Sequence, residues 1–192
     1  TQNEVTEIYI DQPIKDIGSG NNAVIVGESI GVSYMLKSLG VDPSTGDLVF
    51  DDVNNDNQIT DADRQIVGDP NPDFYGGLTN SFAYKGFDLT VFLQFNVGNE
   101  IFNGVRQYTE NMTFGDNDNQ LATINRRWRQ PGDRAPVPRI NGTYNNDITS
   151  HYLEDGSFLR IKNISFGYNL PKSWIKGAKL SSARVYLNLQ NI

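Results

Sequence analysis

The sequence predicts an all-β chain of antiparallel strands, either a segment of a transmembrane β-barrel or a soluble β-sandwich. Two observations predict this class. Several segments alternate apolar and polar residues with a period of two, the period at which successive side chains change faces in a strand. In addition, no apolar run reaches the roughly 18 residues of a membrane-spanning helix, whereas a barrel strand needs only about 9–11 residues.

The alternating segments can be taken in chain order. Residues 30–37 place Ile30, Val32, Tyr34 and Leu36 on one face. Residues 78–84 and 87–96 form a pair separated only by Lys85-Gly86, the length of a two-residue hairpin turn. One face of this pair is apolar, with Leu78, Phe82, Tyr84, Phe87, Leu89, Val91, Leu93 and Phe95. The other face is polar, except for Phe92.

The segment 159–170 changes phase part-way along its length. Its apolar residues stand at odd numbers up to Ile161 and at even numbers from Ile164 onward. One extra residue near Asn163 would restore the alternation, so we predict a β-bulge there. The last alternating segment, 185–190, places Val185, Leu187 and Leu189 on one face.

Three features favour a barrel over a sandwich. The polar faces carry Ser, Thr, Asn, Gln and Lys, which suit a water-filled lumen. Long polar connections alternate with very short ones, as expected for extracellular loops opposite periplasmic turns. Aromatic residues cluster near predicted strand ends, where interfacial girdles lie: Phe74, Tyr75, Phe82, Tyr84, Phe87, Tyr168 and Trp174. The pattern alone leaves the sandwich open.

The long connections are residues 40–72 and roughly 99–156. The second contains a predicted helix over 120–129, stopped by Pro131-Gly132. Arg126, Trp128 and Arg129 could stack on a sugar ring or hold a carboxylate, and we retain them as weak substrate-binding candidates. The alternative is that this cluster pins a loop through ion pairs. Asp116 and Asp118 form an acidic turn that we interpret as solvated loop.

Residues 51–63 have the spacing of an EF-hand or dockerin-like calcium loop. Positions 1, 3, 5, 7, 9 and 12 are occupied by Asp52, Asn54, Asp56, Gln58, Thr60 and Asp63. Position 6 is Asn57 instead of Gly, although Asn tolerates the left-handed conformation this turn needs. The alternative is an Asx-rich turn that caps the next helix, because Thr60-x-x-Asp63 resembles a capping box. Both interpretations can hold together.

The composition excludes several classes of function. A net charge of −7 argues against a nucleic-acid partner, because no basic stripe exists to meet phosphate. The chain has no cysteine, so it has no disulfide framework and no thiolate zinc site. His151 is the only histidine, and no carboxylate pair stands out. We therefore predict that the chain is not an enzyme.

Several runs of the sequence, taken together and in order, resemble one known protein family. From residue 24 to residue 40 the run is VIVGESIGVSYMLKSLG, followed by GVDPSTGD and the calcium-type loop. Next comes IVGDPNPDFYGGLTNSFAYKGFDLTVFLQFNVGN. The later runs are RRWRQPGDRAPVPRI, YLEDGSFLRIKNISFGYNLP and ARVYLNLQNI. Together they cover most of the 192 residues, and in this order they resemble the C-terminal part of the SusC/RagA family of TonB-linked outer-membrane receptors of Bacteroidota.

The resemblance implies that residues 1–192 are part of a larger receptor barrel in the outer membrane. Such receptors import glycan or peptide oligomers, take energy from the TonB complex through other parts of the receptor, and work with a SusD-like surface lipoprotein as a lid. The chain would then supply wall strands in contact with outer-membrane lipid, and loops that contact substrate or lid, with Ca²⁺ stiffening one loop. The rival prediction is a soluble, secreted, calcium-stabilised carbohydrate-binding β-sandwich.

Overall fold

The computed structural model describes residues 3–9, 12–17, 21–110, 119–142 and 147–192. These fall into two compact units. Unit 1 comprises Thr1–Asn71 and Asn99–Asp155, and unit 2 comprises Pro72–Gly98 and Gly156–Ile192. The predicted connection at 99–156 thus nearly coincides with the second part of unit 1. The predicted acidic turn at Asp116 and Asp118 lies outside the described residues.

Unit 2 is a four-stranded antiparallel sheet. Its strands are β7 (Phe74–Tyr84), β8 (Phe87–Val97), β11 (Phe158–Asn169) and β12 (Arg184–Gln190), in the order β12-β11-β8-β7. Between β11 and β12 lie α2 (Lys172–Ile175) and a 3₁₀ turn, Lys176–Ala178. The predicted hairpin is confirmed: Tyr84 pairs with Phe87. Lys85 and Gly86 both have positive φ, at 45° and 88°, as a two-residue hairpin turn requires.

Unit 1 contains several short sheets. Its strands are β1 (Ile14–Ile17), β2 (Asn22–Val24), β3 (Val32–Leu36), β4 (Ser38–Val41), β5 (Leu48–Phe50), β6 (Arg64–Gly68), β9 (Glu100–Phe102) and β10 (Leu153–Asp155). They form a sheet of order β1-β2-β3-β6 and two pairs, β4–β5 and β9–β10. The helical elements are α1 (Gly104–Glu110) and 3₁₀ turns at Asp61–Asp63, Ala122–Arg126 and Ser150–Tyr152. Leu36, Leu48 and Phe50 form a buried cluster, against which Val41 and Ile59 pack.

The strand predicted at 30–37 is shorter and differently buried than its pattern indicated. It begins at Val32, because Ile30 lies in a turn that Gly31 completes with a φ of 80°. Val32, Ser33 and Met35 are all buried, so both faces of this strand are covered. An alternating pattern had predicted only one covered face.

The helix predicted over 120–129 is wrong in type and length. The chain forms only a 3₁₀ turn over Ala122–Arg126. Arg127 then makes a parallel bridge to Val137, and the amide of Trp128 donates to the carbonyl of Val137 at 2.9 Å. Since Arg127 and Trp128 pair in extended conformation with Val137, ten residues beyond Arg127, they cannot continue a helix toward Pro131.

Within the described residues, no helix is both long and apolar enough to cross a membrane.

Candidate functional site

The unit 2 sheet has one continuous apolar face. Most rows of side chains that cross the strands on this face are wholly apolar. One such row contains Phe82, Leu89, Phe166 and Leu187. Large residues on it are left uncovered in unit 2, with Phe82 62% and Leu187 58% exposed. The remaining exposed members include Phe74, Leu78, Tyr84, Phe87, Leu159, Val185 and Leu189. Exposed apolar surface on this scale indicates an interface with another apolar medium.

The opposite face of the same sheet is polar. The row Ser81, Thr90, Ser165 and Asn188 crosses all four strands. The hydroxyls of Ser81 and Thr90 lie 3.2 Å apart and share a hydrogen bond. Neutral hydroxyl and amide groups make this face suitable for contact with water, as in a barrel lumen.

Several features interrupt the polar face, including the aromatic rings of Tyr75 and Phe158 in the row of Asn96 and of Tyr186 in the row of Asp88. Phe92, the apolar exception predicted there, lies over Gly77, where a Cβ would come within 2.7 Å of the ring. Near the hairpin, Arg184 of β12 reaches across β11 to the carboxylate of Asp88 on β8. Gly167 of β11 lies beneath this ion pair, and a Cβ there would meet both side chains.

The predicted β-bulge is confirmed, one residue before Asn163. In the β8–β11 ladder Leu93 pairs with Ile161 and the adjacent Phe92 pairs with Asn163, so Lys162 has no partner on β8. This extra residue moves the apolar positions from odd to even numbers while keeping them on one face. The register therefore keeps the apolar face continuous along the whole of β11.

Aromatic rings lie near both ends of the apolar face. At the hairpin end, the rings of Phe87 and Tyr168 stack with centroids 4.1 Å apart, and Trp174 packs against Tyr168 at 6.3 Å. At the other end, Phe74 and Phe95 meet edge to face at 6.0 Å. The strands between these ends have 11 residues, or about 36 Å along the strand and roughly 27 Å in height at a tilt of 40°. This height matches the apolar band of an outer-membrane barrel, about 25 Å.

The calcium-type loop has a backbone held by its own carboxylates. The Asp52 carboxylate accepts hydrogen bonds from the amides of Asp56 at 3.3 Å and Asn57 at 2.8 Å, and Asp56 accepts one from the amide of Gln58 at 2.7 Å. Asn57 has a φ of 61°, the left-handed conformation that position 6 requires. The side chains at positions 1, 5 and 12 are carboxylates, whose charge and oxygens suit Ca²⁺.

The capping alternative is present in the structure. Thr60 caps the turn Asp61–Asp63 by accepting from the amide of Ala62, and Asp63 accepts from the amide of Thr60 at 2.8 Å. Asp63 is fully buried and also accepts from the amide of Val53 at 3.1 Å. The hydrogen bond from Thr60 is the largest contribution that lowers the pKa of Asp63, so this carboxylate stays ionised.

The ligand set for a metal is only partly assembled. Within the described ranges, no group of three or more His, Cys, Asp or Glu side chains lies close enough together to hold a metal ion. The Asn54 amide nitrogen donates to Asp56 at 2.9 Å, so its oxygen accepts from the Asp56 backbone instead. The backbone therefore fits an EF-type loop, whereas the side chains satisfy one another.

The weak substrate-binding candidates lie in a turn-rich part of unit 1. Trp128 is half-buried and fixed: its indole donates to the carbonyl of Pro43 at 2.9 Å, and its ring covers Gly46. Arg126 and Arg129 are exposed, and Arg129 donates to the carbonyl of Asn125 at 3.2 Å. The Trp128 indole thus pins this loop together with Arg139, whose guanidinium pairs with the carboxylate of Asp47 at 2.9 Å. Whether any of the three contacts substrate stays a prediction.

Several known proteins are similar to this chain in sequence. The chain is 36% identical over 181 residues to TonB-dependent receptor P3 of Formosa agariphila, covering 86% of the chain and 18% of the relative. It is 30% identical over 201 residues to TonB-dependent receptor P26 of the same organism, covering 96% and 20%. It is 25% identical over 203 residues to TonB-dependent receptor SusC of Bacteroides thetaiotaomicron, covering 100% and 19%. No family model matches the sequence.

The solved structures agree with these relatives. A chain in a structure of the RagAB peptide transporter matches with a TM-score of 0.83 at 24% identity, covering 98% of this chain and 22% of that one. The chain belongs to the SusC/RagA-like TonB-dependent receptors. It spans about a fifth of the length of the curated relatives it matches.

Membership in this receptor family decides between the two predicted fold classes. The prediction of an antiparallel β-barrel segment is confirmed: the sheets are antiparallel, and the fold matches that of the corresponding part of a much longer receptor chain. Four strands do not close a barrel by themselves. The rival prediction of a soluble β-sandwich is not supported, since the relatives are receptors and the apolar face of unit 2 is uncovered.

Unit 1 of this receptor segment also contains a buried ionic cluster that the sequence did not predict. Arg106 donates to Glu110 at 2.8 Å and lies 3.3 Å from Glu154, while the His151 ring is 3.5 Å from Glu110. Burial acts to raise the pKa of Glu110, but hydrogen bonds from His151 and Thr123 and the charge of Arg106 outweigh it and lower the pKa. The i, i+4 spacing of Arg106 and Glu110 was the only local signal for the cluster.

Proposed function

We propose that this chain is part of an outer-membrane TonB-dependent receptor that takes up glycan or peptide oligomers. Unit 2 would form wall strands against outer-membrane lipid. Unit 1 would supply extracellular loops that contact the substrate or a SusD-like surface lipoprotein. The TonB complex would energise the receptor through segments other than these wall strands.

One observation carries this proposal: the four-stranded sheet is apolar on one face and polar on the other. A sheet of this size presents roughly 700 Å² on each face, which exceeds the largest apolar patch of a typical soluble monomer. Burial in lipid removes that surface from water, and the polar face then lines an aqueous lumen. The family relationship makes a receptor wall the natural place for such a sheet.

The proposed membrane orientation can be tested by cysteine labelling of the full-length receptor. The chain contains no cysteine, so single cysteines can be introduced at Thr45 in unit 1 and at Lys85 in the hairpin, both exposed. In intact cells a membrane-impermeant maleimide should label Thr45→Cys, and it should label Lys85→Cys only after the outer membrane is permeabilised. Equal labelling of both positions in intact cells would contradict the proposal.

Uptake itself is tested by deleting the receptor gene. The deletion strain should lose growth on at least one oligosaccharide or peptide that supports the parent strain, and the full-length gene should restore it. Recovery of the receptor in a soluble fraction, or unchanged growth and uptake on every substrate that the parent uses, would contradict an uptake function.

We also propose that residues 51–63 bind a structural Ca²⁺. The proposal is supported by the six-position spacing, the left-handed Asn57 and the carboxylates of Asp52, Asp56 and Asp63. These carboxylates, with the side chains of Asn54 and Thr60 and the backbone carbonyl of Gln58, would hold the ion, which would cross-link the loop and neutralise its carboxylates. These side chains hydrogen-bond within the loop, so the binding of Ca²⁺ would require them to reorient.

Limited proteolysis of the full-length receptor tests the calcium site without relying on activity. Chelation with EDTA should speed cleavage within 40–72, and added Ca²⁺ should reverse the change. The double variant Asp52→Ala/Asp56→Ala should be cleaved quickly and be insensitive to Ca²⁺, whereas Asp61→Ala, at position 10, should respond like the parent. Cleavage that is the same with and without chelator in the parent would refute the calcium site.

A further inference from the structure

Unit 1 contains two adjoining cavities on either side of the start of α1. The first, of about 800 Å³, is lined by residues that include Leu36, Thr60, Arg64 and Tyr108. The second, of about 590 Å³, is lined by residues that include Asn21, Asn22, Ser33 and Glu100. Both are bordered by Gly104, Gln107 and Ile148. Because they share these walls, the two cavities adjoin, and we treat them together as one groove.

The groove combines an apolar floor with convergent polar groups, the usual composition of a ligand site. Leu36 at its floor is 7% exposed and belongs to the buried cluster of unit 1. Asn21 and Gln107 supply amide groups, which both donate and accept hydrogen bonds, whereas the Asn22 nitrogen donates to the carbonyl of Gly31 at 2.6 Å and leaves its oxygen as an acceptor. Tyr108 is 54% exposed and adds an aromatic ring of the kind that stacks on sugar rings.

The charge of the groove favours one class of ligand. Asp61, Asp147 and Glu100 contribute three carboxylates, against the single guanidinium of Arg64. Arg64 lies 3.1 Å from Asp61, so its charge is already paired within the groove. A ligand that carries carboxylate or sulfate groups would meet like charge here. A neutral, hydroxyl-rich ligand avoids this repulsion and can donate hydrogen bonds to these carboxylates while its ring packs on Tyr108.

We infer that this groove is a binding subsite for neutral oligosaccharides and that it discriminates against uronate or sulfated chains. The inference rests on the proposed uptake function and names the substrate class that this part of the receptor selects. Tyr108 provides the stacking surface, and the amides of Asn21 and Gln107, with the side-chain oxygen of Asn22, recognise hydroxyls. Asp61 and Asp147 exclude anionic ligands from the larger cavity.

The test uses the full-length receptor in detergent and a printed array of neutral oligosaccharides, uronate oligosaccharides and hexapeptides. The receptor should bind neutral oligosaccharides. Tyr108→Ala should weaken that binding by about tenfold or more. Tyr9→Ala is the matched control, because Tyr9 is fully exposed and lines neither cavity, and it should bind like the parent.

A gain of binding gives an independent check that a folding defect cannot imitate. The double variant Asp61→Asn/Asp147→Asn removes two carboxylates and leaves Arg64 without its partner at Asp61, so it should bind uronate oligosaccharides that the parent rejects. Failure to gain uronate binding would overturn the proposed charge selection.

Several outcomes would overturn the groove itself: capture of only uronates or peptides, capture of nothing, or equal binding by Tyr108→Ala and the parent. In the last case the receptor function would survive, because binding would be located elsewhere. Conversely, loss of neutral binding in Tyr108→Ala, together with unchanged growth of the deletion strain, would support the groove and contradict uptake.

Discussion

The assignment of the two faces of the unit 2 sheet predicts very different losses of stability for two neighbouring substitutions on β8. Leu93 lies on the apolar face between Leu78 and Ile161, and Gln94 lies on the polar face. From Leu93 to the strand ends at Phe87 and Val97 is about 20 Å and 13 Å along the strand, hence roughly 15 Å and 10 Å in height at a 40° tilt. Leu93 is therefore close to the middle of the apolar band.

Leu93→Arg should destabilise the folded receptor by about 2–4 kcal/mol, the cost of an arginine near the bilayer midplane. At 3 kcal/mol the ratio of folded to unfolded receptor falls by a factor of about 150. Gln94→Arg introduces the same side chain one residue along the same strand, but toward the lumen, so its effect should stay within about 0.5 kcal/mol.

The assay is urea titration of the full-length receptor refolded into lipid bilayers, with folded and unfolded forms separated by electrophoresis without heating. Surface abundance in cells gives a second measurement, and it should fall only for Leu93→Arg. Equal destabilisation by the two variants, or a larger effect of Gln94→Arg, would refute the assignment of the faces and with it the proposal of a barrel wall.

Three further predictions concern single features of the two units. Deletion of Lys162 should leave the receptor folded, because the residues on either side already pair in register with β8; deletion of Ser165 should prevent assembly, because it turns the preceding apolar residues to the polar face. Gly167→Ala should cost about 1 kcal/mol in the urea assay by displacing the ion pair above it, and a variant as stable as the parent would contradict that contact. Because the pKa of Glu110 is lowered from 4.5, the stability that its carboxylate contributes is complete above pH 4.5 and is lost as the pH falls through the lowered pKa. Hydrogen exchange in α1 should accelerate in that pH range. Glu110→Gln should reduce the exchange protection of α1 by about 2 kcal/mol at neutral pH and should remove this pH dependence.

The wall strands could be predicted from the sequence because their signals are local. Alternation with a period of two over 11 residues defines β7 and β8, and Lys85-Gly86 is a turn whose geometry follows from its length. The bulge at Lys162 was visible as a change of phase along one strand. In each case one face of the strand is apolar and the other polar, so the sequence itself records both faces.

Unit 1 could not be predicted in the same way, since its structure depends on distant contacts. Most of its strands have three to five residues, and β3 is covered on both faces, so alternation is short or absent. The helix predicted near Arg127 is replaced by pairing with Val137. Glu110 and His151 are far apart in sequence, and only the fold brings them together.

The candidate sites also divide into local motifs, which the sequence could predict, and sites that only the fold assembles. The calcium-type loop is a local motif, and its left-handed Asn57 and Thr60 cap are both present. The groove has walls from residues 21 to 148, so no spacing in the sequence could reveal it. Trp128 was predicted as a substrate-binding candidate because of its arginine neighbours. In the structure its indole donates to the carbonyl of Pro43 and its ring packs over Gly46.

One residue departs from the composition of the apolar face and allows a final test of its environment. Asn80 lies on that face, opposite Val91 and two residues from both Leu78 and Phe82. An amide facing lipid without a hydrogen-bond partner is costly, so Asn80→Leu should stabilise the receptor in bilayers by about 1–2 kcal/mol. Asn188→Leu, on the polar face, is the matched control and should give no such gain. A loss of stability in Asn80→Leu would instead mean that the amide contacts another polar protein surface, and that this part of the wall does not face lipid.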